Sequence, residues 1–304
     1  MKALLIALNL SLVACALAAT VLHRAGLGGE ELADSYRVYQ KRLAALAEEI
    51  DGTLVYQRRS KEDKTATSIW QKSLDSSQPT RLAESGRIPR WSPDGNHVVF
   101  LRDDTVCVVD RKTREVRDVI TLPGVESAVY ADTQTLTVCG SSDDGWVKQV
   151  DLATAETTLL LSGHAFMSAE IIPNTPYVAA TIRGSSGAYF AFRFTIGNEK
   201  RLKHLKGLGT PVSLSPAGDR MIFNRTTLAE ARILDVDSRK TLAKVPAPEG
   251  RRVLNHQWSN HPDYIVSTSK DFGNNVFIHG LADGKIIQAT KPADTNYPDL
   301  WINQ

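Results

Sequence analysis

Cysteine is scarce in this chain: there are three in 304 residues, at positions 15, 107 and 139. That is no disulfide framework. Cys107 lies in Thr-Val-Cys-Val-Val and Cys139 in Leu-Thr-Val-Cys-Gly. Both segments are strand-like, so the two thiols are expected to be buried and to act as small hydrophobes. An excess of charge of either sign is also lacking. The 36 Lys and Arg nearly balance the 34 Asp and Glu, and no block of like charge or basic stripe stands out. Nucleic acid is therefore not an expected partner.

Signatures of common catalytic sites are missing as well. The sequence has no Gly-x-Gly-x-x-Gly, no phosphate loop and no zinc helix. The string nearest to a Gly-x-Ser-x-Gly elbow, Gly184-Ser185-Ser186-Gly187, has the wrong spacing. No pair of histidines stands at metal-ligand spacing. A non-enzymatic protein with no cofactor is the expectation.

What the chain does have begins with an export signal. Met1-Lys2 is a positive start, and Ala3 to Ala14 is apolar except for Asn9 and Ser11. This is the length of a signal-peptide core, shorter than the ~20 residues of a bilayer span. Leu12-Val13-Ala14-Cys15 resembles a bacterial lipobox, in which Cys15 would be lipidated. The apolar run continues to Leu22, long enough for an uncleaved anchor, and Ala16-Leu17-Ala18 offers a small-x-small cleavage site. All three routes make residues 1–24 a signal or anchor. They place the rest outside the cytoplasm, in the periplasm or facing it. Residues 25–50 read as a linker with a helix over 34–50, capped by Asp34 or Ser35. Tyr36, Tyr39, Leu43, Leu46 and Ile50 share one face of it.

From residue 51 the chain is a repeat. Short strand-like runs alternate with turns, and one pattern recurs: an apolar strand end, a Pro- or Asp-containing turn, then a β-rich run. The clearest copies start at Arg90-Trp91-Ser92-Pro93-Asp94-Gly95, Ser213-Leu214-Ser215-Pro216-Ala217-Gly218 and Gln257-Trp258-Ser259-Asn260-His261-Pro262. Weaker copies place the anchor at Val129 and Ile171. The anchors are spaced 38, 42, 43 and 44 residues apart, and one more period reaches Trp301. Third strands end at Asp110, Asp151 and Asp237, each before a turn. Four strands in about 43 residues is the size of a propeller blade.

The last anchor has no strand after it, and Asp51-Gly52-Thr53-Leu54-Val55 has no strand before it. The two ends complete each other. The fold expected is all-β: a six-bladed β-propeller over residues 51–304, closed by pairing Tyr297 to Ile302 with Thr53 to Gln57. Closure removes an exposed sheet edge. Trp91-Ser92-Pro93-Asp94-Gly95, followed by Val98-Val99-Phe100, resembles the repeat of TolB-type propellers, which is also found in the non-catalytic domains of prolyl oligopeptidases and dipeptidyl peptidases. The resemblance covers residues 51–304. It implies a propeller fold and leaves function open.

Two constellations are candidate binding residues. Asp103, Asp104, Asp143, Asp144 and Asp271 lie between second and third strands, where carboxylates can hold a cation, act as acid and base, or simply solvate turns. One place before each anchor stand Arg90, Ala128, Glu170, Ser213, Gln257 and Leu300, with His256 beside Gln257. Convergent polar groups at a channel mouth would form a binding site. The function expected is a monomeric, membrane-associated module that binds an envelope protein or peptide. The alternatives are a lyase- or lactonase-type enzyme with a metal or acid–base site at the channel mouth, and a purely structural envelope protein. If Cys15 is the lipid site, Cys15→Ser abolishes fatty-acid labelling and blocks processing. Unchanged migration and no label in the wild type would instead favour the uncleaved anchor.

Overall fold

The structure is a computed structural model that describes residues 30–60, 62–63, 65–142, 144–185, 189–208, 213–224, 230–248, 252–269, 274–290 and 295–303. Cys15, Asp143 and Asp271 lie outside them. The chain divides into two compact units, Met1–Arg42 and Leu43–Gln304. One helix, α1 (Glu30–Glu49), starts four residues before the expected Asp34. From Leu43 onward it belongs to the second unit. No helix of the described residues is long and apolar enough to cross a membrane.

The second unit is a β-propeller. In chain order its strands are β1 (Gly52–Arg59), β2 (Thr67–Ser73), β3 (Thr80–Ala83), β4 (Arg87–Trp91), β5 (His97–Arg102), β6 (Thr105–Asp110), β7 (Val116–Thr121) and β8 (Val125–Tyr130). Then come β9 (Thr135–Gly140), β10 (Trp146–Asp151), β11 (Thr157–Ser162), β12 (Phe166–Ile171), β13 (Tyr177–Arg183), β14 (Tyr189–Thr195), β15 (Asn198–Leu208) and β16 (Ser213–Leu214). The last are β17 (Arg220–Asn224), β18 (Glu230–Asp235), β19 (Thr241–Pro246), β20 (Val253–Trp258), β21 (Tyr264–Ser269), β22 (Val276–Gly280), β23 (Ile286–Gln288) and β24 (Thr295–Ile302). Among the described residues they form six sheets of four antiparallel strands. Five blades use consecutive strands, and the first is ordered β24-β1-β2-β3.

That first blade closes the ring as expected. Ile302 pairs with Gly52, Trp301 with Thr53, Leu300 with Leu54 and Asp299 with Val55. A helical segment reinforces the seam. Leu43 and Leu46 of α1, with Ala47 and Ile50 beside them, pack into one cluster with Leu54, Tyr56, Leu74, Val266, Val276 and Leu300. This cluster joins the first and last blades.

The strand period of two explains the rest of the core. Along β5, Val98 and Phe100 face the first blade and pack with Val55 and Ile69. Val99 and Leu101 face the third blade and pack with Val125, Ala128 and Leu136. All four are fully buried because a blade is covered on both faces. Cys107 sits in the first of these layers and Cys139 in the next one round, with Val147 and Phe166, both as free, buried thiols.

Turn chemistry recurs between third and fourth strands. The Asp110 carboxylate accepts from the Lys112 and Thr113 amides, Asp151 from Ala153 and Thr154, and Asp235 from Ser238. In the fifth blade the strand therefore ends at Asp235 rather than Asp237, because only Asp235 is placed to fold its side chain onto its own turn.

Deleting residues 296–304 removes the partner of β1 and is expected to give aggregation or a much lower melting temperature. Leu300, 1% exposed, should cost about 2–5 kcal/mol when changed to alanine, read by urea denaturation. A truncated chain that stays monomeric with an unchanged melting temperature would refute closure.

Candidate functional site

Three inner strands carry the same irregularity. Ile88, Asn255 and Tyr297 are non-glycine residues at positive φ, 52°, 50° and 49°. Around each, the pairing register shifts: between Arg87 and Arg90, between Leu254 and Gln257, and opposite the step from Val55 to Gln57. These are β-bulges, which re-aim the side chains that follow. Two residues after each bulge stand Arg90, Gln257 and Asp299, and three residues after it Trp91, Trp258 and Leu300.

This alignment corrects the sequence period in the first blade. Spacing alone put Trp301 at the anchor and Leu300 before it. The backbone register instead puts Leu300 at the anchor and the carboxylate of Asp299 before it. Trp301, one place further on, lies over the turn of the second blade. Its indole is where a side chain on Gly95 would be, so a Cβ there would come within 2.1 Å of the ring. The Arg111 guanidinium sits 5.4 Å from the Trp91 ring centroid and 5.5 Å from that of Trp301, and donates to Thr53 Oγ1 at 2.7 Å.

The inner strands converge on a cavity of about 390 Å³. Aromatic and proline side chains form much of its wall: Trp91, Tyr130, Trp258 and Trp301 with Pro93, Pro173 and Pro216. Arg90, Glu170, Gln257 and Asp299 supply its polar groups. Burial pushes the Glu170 carboxyl up to about 7, against the lowering effects of the Leu214 amide and Arg90. Burial likewise pushes Asp299 up to about 6, against Arg90 and the Trp91 and Leu300 amides. The Arg90 guanidinium is lowered by the same burial and held charged by Asp299 and Glu170. It donates through Nη1 to the Pro89 carbonyl at 2.9 Å, while Nε has no hydrogen-bond partner among the described residues.

The same residues fasten the blades to one another. Asp299 Oδ2 accepts from the Trp91 amide at 2.8 Å, Glu170 Oε2 from the Leu214 amide at 3.0 Å, and Ser213 Oγ from the Trp258 amide at 2.9 Å. In each case an inner-strand side chain satisfies a backbone donor of the next blade, a group that would be costly to bury unpaired.

Of the residues singled out from sequence, Arg90, Glu170 and Gln257 meet in this cavity, and the sequence reading missed Asp299. A signal for it was present: Ile88-Pro89-Arg90-Trp91 and Tyr297-Pro298-Asp299-Leu300 share the form x-Pro-charged-apolar. His256 does not line the cavity. Its strand pleat turns it away from Gln257 toward His279, with ring centroids 5.8 Å apart. The Asp103-Asp104 turn lies at the end of β5 opposite the Pro93 turn. There the Asp104 carboxylate accepts from the Gly124 amide at 3.0 Å, and its carbonyl from the Leu122 amide at 2.8 Å. Asp144 is exposed in the corresponding turn of the third blade. Among the described residues no three His, Cys, Asp or Glu side chains group at metal-binding distance.

His256 and His279 are both fully enclosed. His279 Nε2 meets Ser267 Oγ at 2.7 Å, and its pKa is lowered by burial to about 4. His256 is also lowered, well below the ordinary histidine value, by burial and by His279. Depressed histidines weaken the fold below pH 6.5, as the pH falls toward 4, because the unfolded chain then binds the extra proton. Raised carboxyls act in the opposite sense: the contribution of Asp299 and Glu170 is complete below about pH 4 and is lost as the pH rises through 6 and 7. His279→Gln removes one term on the acid side. Relative to wild type it should spare about 2 kcal/mol of stability between pH 7 and pH 4.5, measured by denaturant titration. Equal losses in the two proteins would show that His279 is not held neutral.

No protein-family model and no curated protein matches the chain. Solved structures do. TolB from Acinetobacter baumannii is 16% identical with a TM-score of 0.67, over 82% of this chain and 66% of that one. The nidogen/laminin complex contains a chain that is 10% identical with a TM-score of 0.63, over 83% of this chain and 98% of that one. Oligogalacturonate lyase in complex with manganese is 16% identical with a TM-score of 0.50, over 74% of this chain and 71% of that one. This chain thus spans just under two thirds of the TolB chain. Identities this low establish architecture, and the architecture is the six-bladed propeller of TolB.

Proposed function

We propose that this chain is a non-enzymatic binding module of the bacterial cell envelope, exported and held at the membrane through its N-terminus, which takes a protein or peptide partner at the channel mouth. One observation carries the reading. A cavity of about 390 Å³ opens where the inner strands end, walled by tryptophan, tyrosine and proline around Arg90, Glu170, Gln257 and Asp299. Rigid aromatic groups at the rim supply contact area with little loss of side-chain freedom, and a few fixed polar groups inside set orientation. The propeller likeness to TolB and to the nidogen/laminin chain agrees with a protein partner.

A second reading, a lyase-type enzyme using the same mouth, draws on the likeness to oligogalacturonate lyase. Manganese-dependent cleavage of an oligogalacturonate by the full-length protein would establish it and remove the binding-module reading.

Photo-cross-linking in cells tests the proposal. Benzoylphenylalanine in place of Pro216, at the mouth, should give a discrete cross-linked adduct with another protein. The same group in place of Leu242, exposed on the outer strand β19, should not. Absence of any adduct from position 216, or identical adducts from both positions, would overturn the assignment.

A further inference from the structure

We propose that Lys72 is a pH-sensitive strap across the seam where the ring closes, joining the first and last blades loosely while it is protonated and firmly once it is neutral. Lys72 is 8% exposed, and its Nζ donates to the Ala289 carbonyl of the last blade at 2.9 Å. On its own sheet it pairs with Leu54 of β1. Trp70 and Leu74, two places to either side of it, point to the same face of the blade and belong to the apolar cluster of the seam. That cluster takes Leu43 and Leu46 from α1, Leu54 and Tyr56 from β1, and Val276, Ile278, Ile287 and Ala289 from the last blade. A long cation thus reaches across a junction built otherwise of apolar side chains.

An ammonium brings three donors, and here one of them meets a carbonyl. A charge buried with so little compensation is costly. The neutral amine keeps an N–H for Ala289, so losing the proton removes the cost and leaves the strap in place. Burial pulls Lys72 down to about 8, against the raising effect of Asp75 on the turn after β2. The other ionisable groups around it do not supply a counter-charge. Tyr56 is raised by burial to about 12 and is neutral in this range. Arg58 and Arg81 lie over the Trp70 ring and are cations themselves. Glu49, at the end of α1, pairs with Lys285. Once the seam opens, Lys72 meets water and titrates near its ordinary 10.5. The open form therefore binds more protons between pH 8 and 10.5. The seam is weakest below pH 8 and tightens as the pH rises through that window. A further tie of the seam, between the Asn260 side-chain amide and the Ile302 backbone, carries no charge and holds at any pH. The state of the seam also reaches the channel mouth, because β24 places Leu300 and Ile302 in the cluster and Asp299 in the cavity.

Hydrogen exchange of the full-length protein at pH 7.5 and pH 9.5 tests the strap. Rates are divided by the intrinsic exchange rate at each pH, so that they report opening of the structure. In wild type, opening of β24 and β1 should fall about ten-fold between the two pH values, while β9 and β13 on the far blades show no such fall. Lys72→Met keeps the apolar stem and removes the proton, so the fall at β24 and β1 should vanish. Should that variant not fold, the wild-type pattern alone decides. A fall of the same size in Lys72→Met, an equal fall in every blade, or no fall in wild type would each overturn the proposal.

Discussion

The pairing of β24 with β1 is the constraint on which the rest of this structure depends. A propeller blade buries both faces against its neighbours, so an open ring would leave two apolar faces and a sheet edge in water. Here the last strand of the chain completes the first blade, with Leu300 opposite Leu54 and Ile302 opposite Gly52. The two ends of the propeller unit are tied by backbone hydrogen bonds across some 245 residues of sequence. The docked turns of α1 thicken the joint, since Leu43 and Leu46 share a cluster with Leu300 and Ile302.

Closure also creates the site. Inner strands of neighbouring blades do not pair, so their backbone donors need partners from elsewhere. Asp299, Glu170 and Ser213 meet that need across three blade junctions. The carboxylates that hold the blades in place are thus the ones that line the cavity. Their pKa values are raised because these positions are buried, an effect that the amide hydrogen bonds and Arg90 only partly offset. Left-handed backbone at Ile88, Asn255 and Tyr297 belongs to the same arrangement. A β-branched residue such as Ile88 tolerates this conformation poorly, and strain of this kind persists only where the surrounding fold enforces it.

The His256–His279 pair is a separate feature of the last blade. Both rings are buried and neutral near pH 7, with Ser267 as the hydrogen-bonding partner of His279. Histidine and carboxylate terms oppose each other between pH 4 and pH 7, so the two sets of buried groups partly cancel in the net acid response.

The sequence by itself determined the architecture. Trp91-Ser92-Pro93-Asp94-Gly95 and its copies recur at nearly constant spacing, and the missing strand at each end of the propeller requires closure. These are legible because turn chemistry and strand alternation are local: proline and glycine at a reversal, apolar residues at every second place. Arg90, Glu170 and Gln257 could be placed for the same reason, one residue before an anchor. Asp299 could not be placed by counting, and His256 was misdirected toward the mouth, because bulges reset the register and send adjacent side chains to opposite faces. Only the tertiary structure decided that Asp299 takes the place before the anchor and brings its carboxylate to the cavity, and that Trp301 lies over Gly95. Both outcomes depend on hydrogen bonds between strands distant in sequence, which no local pattern encodes.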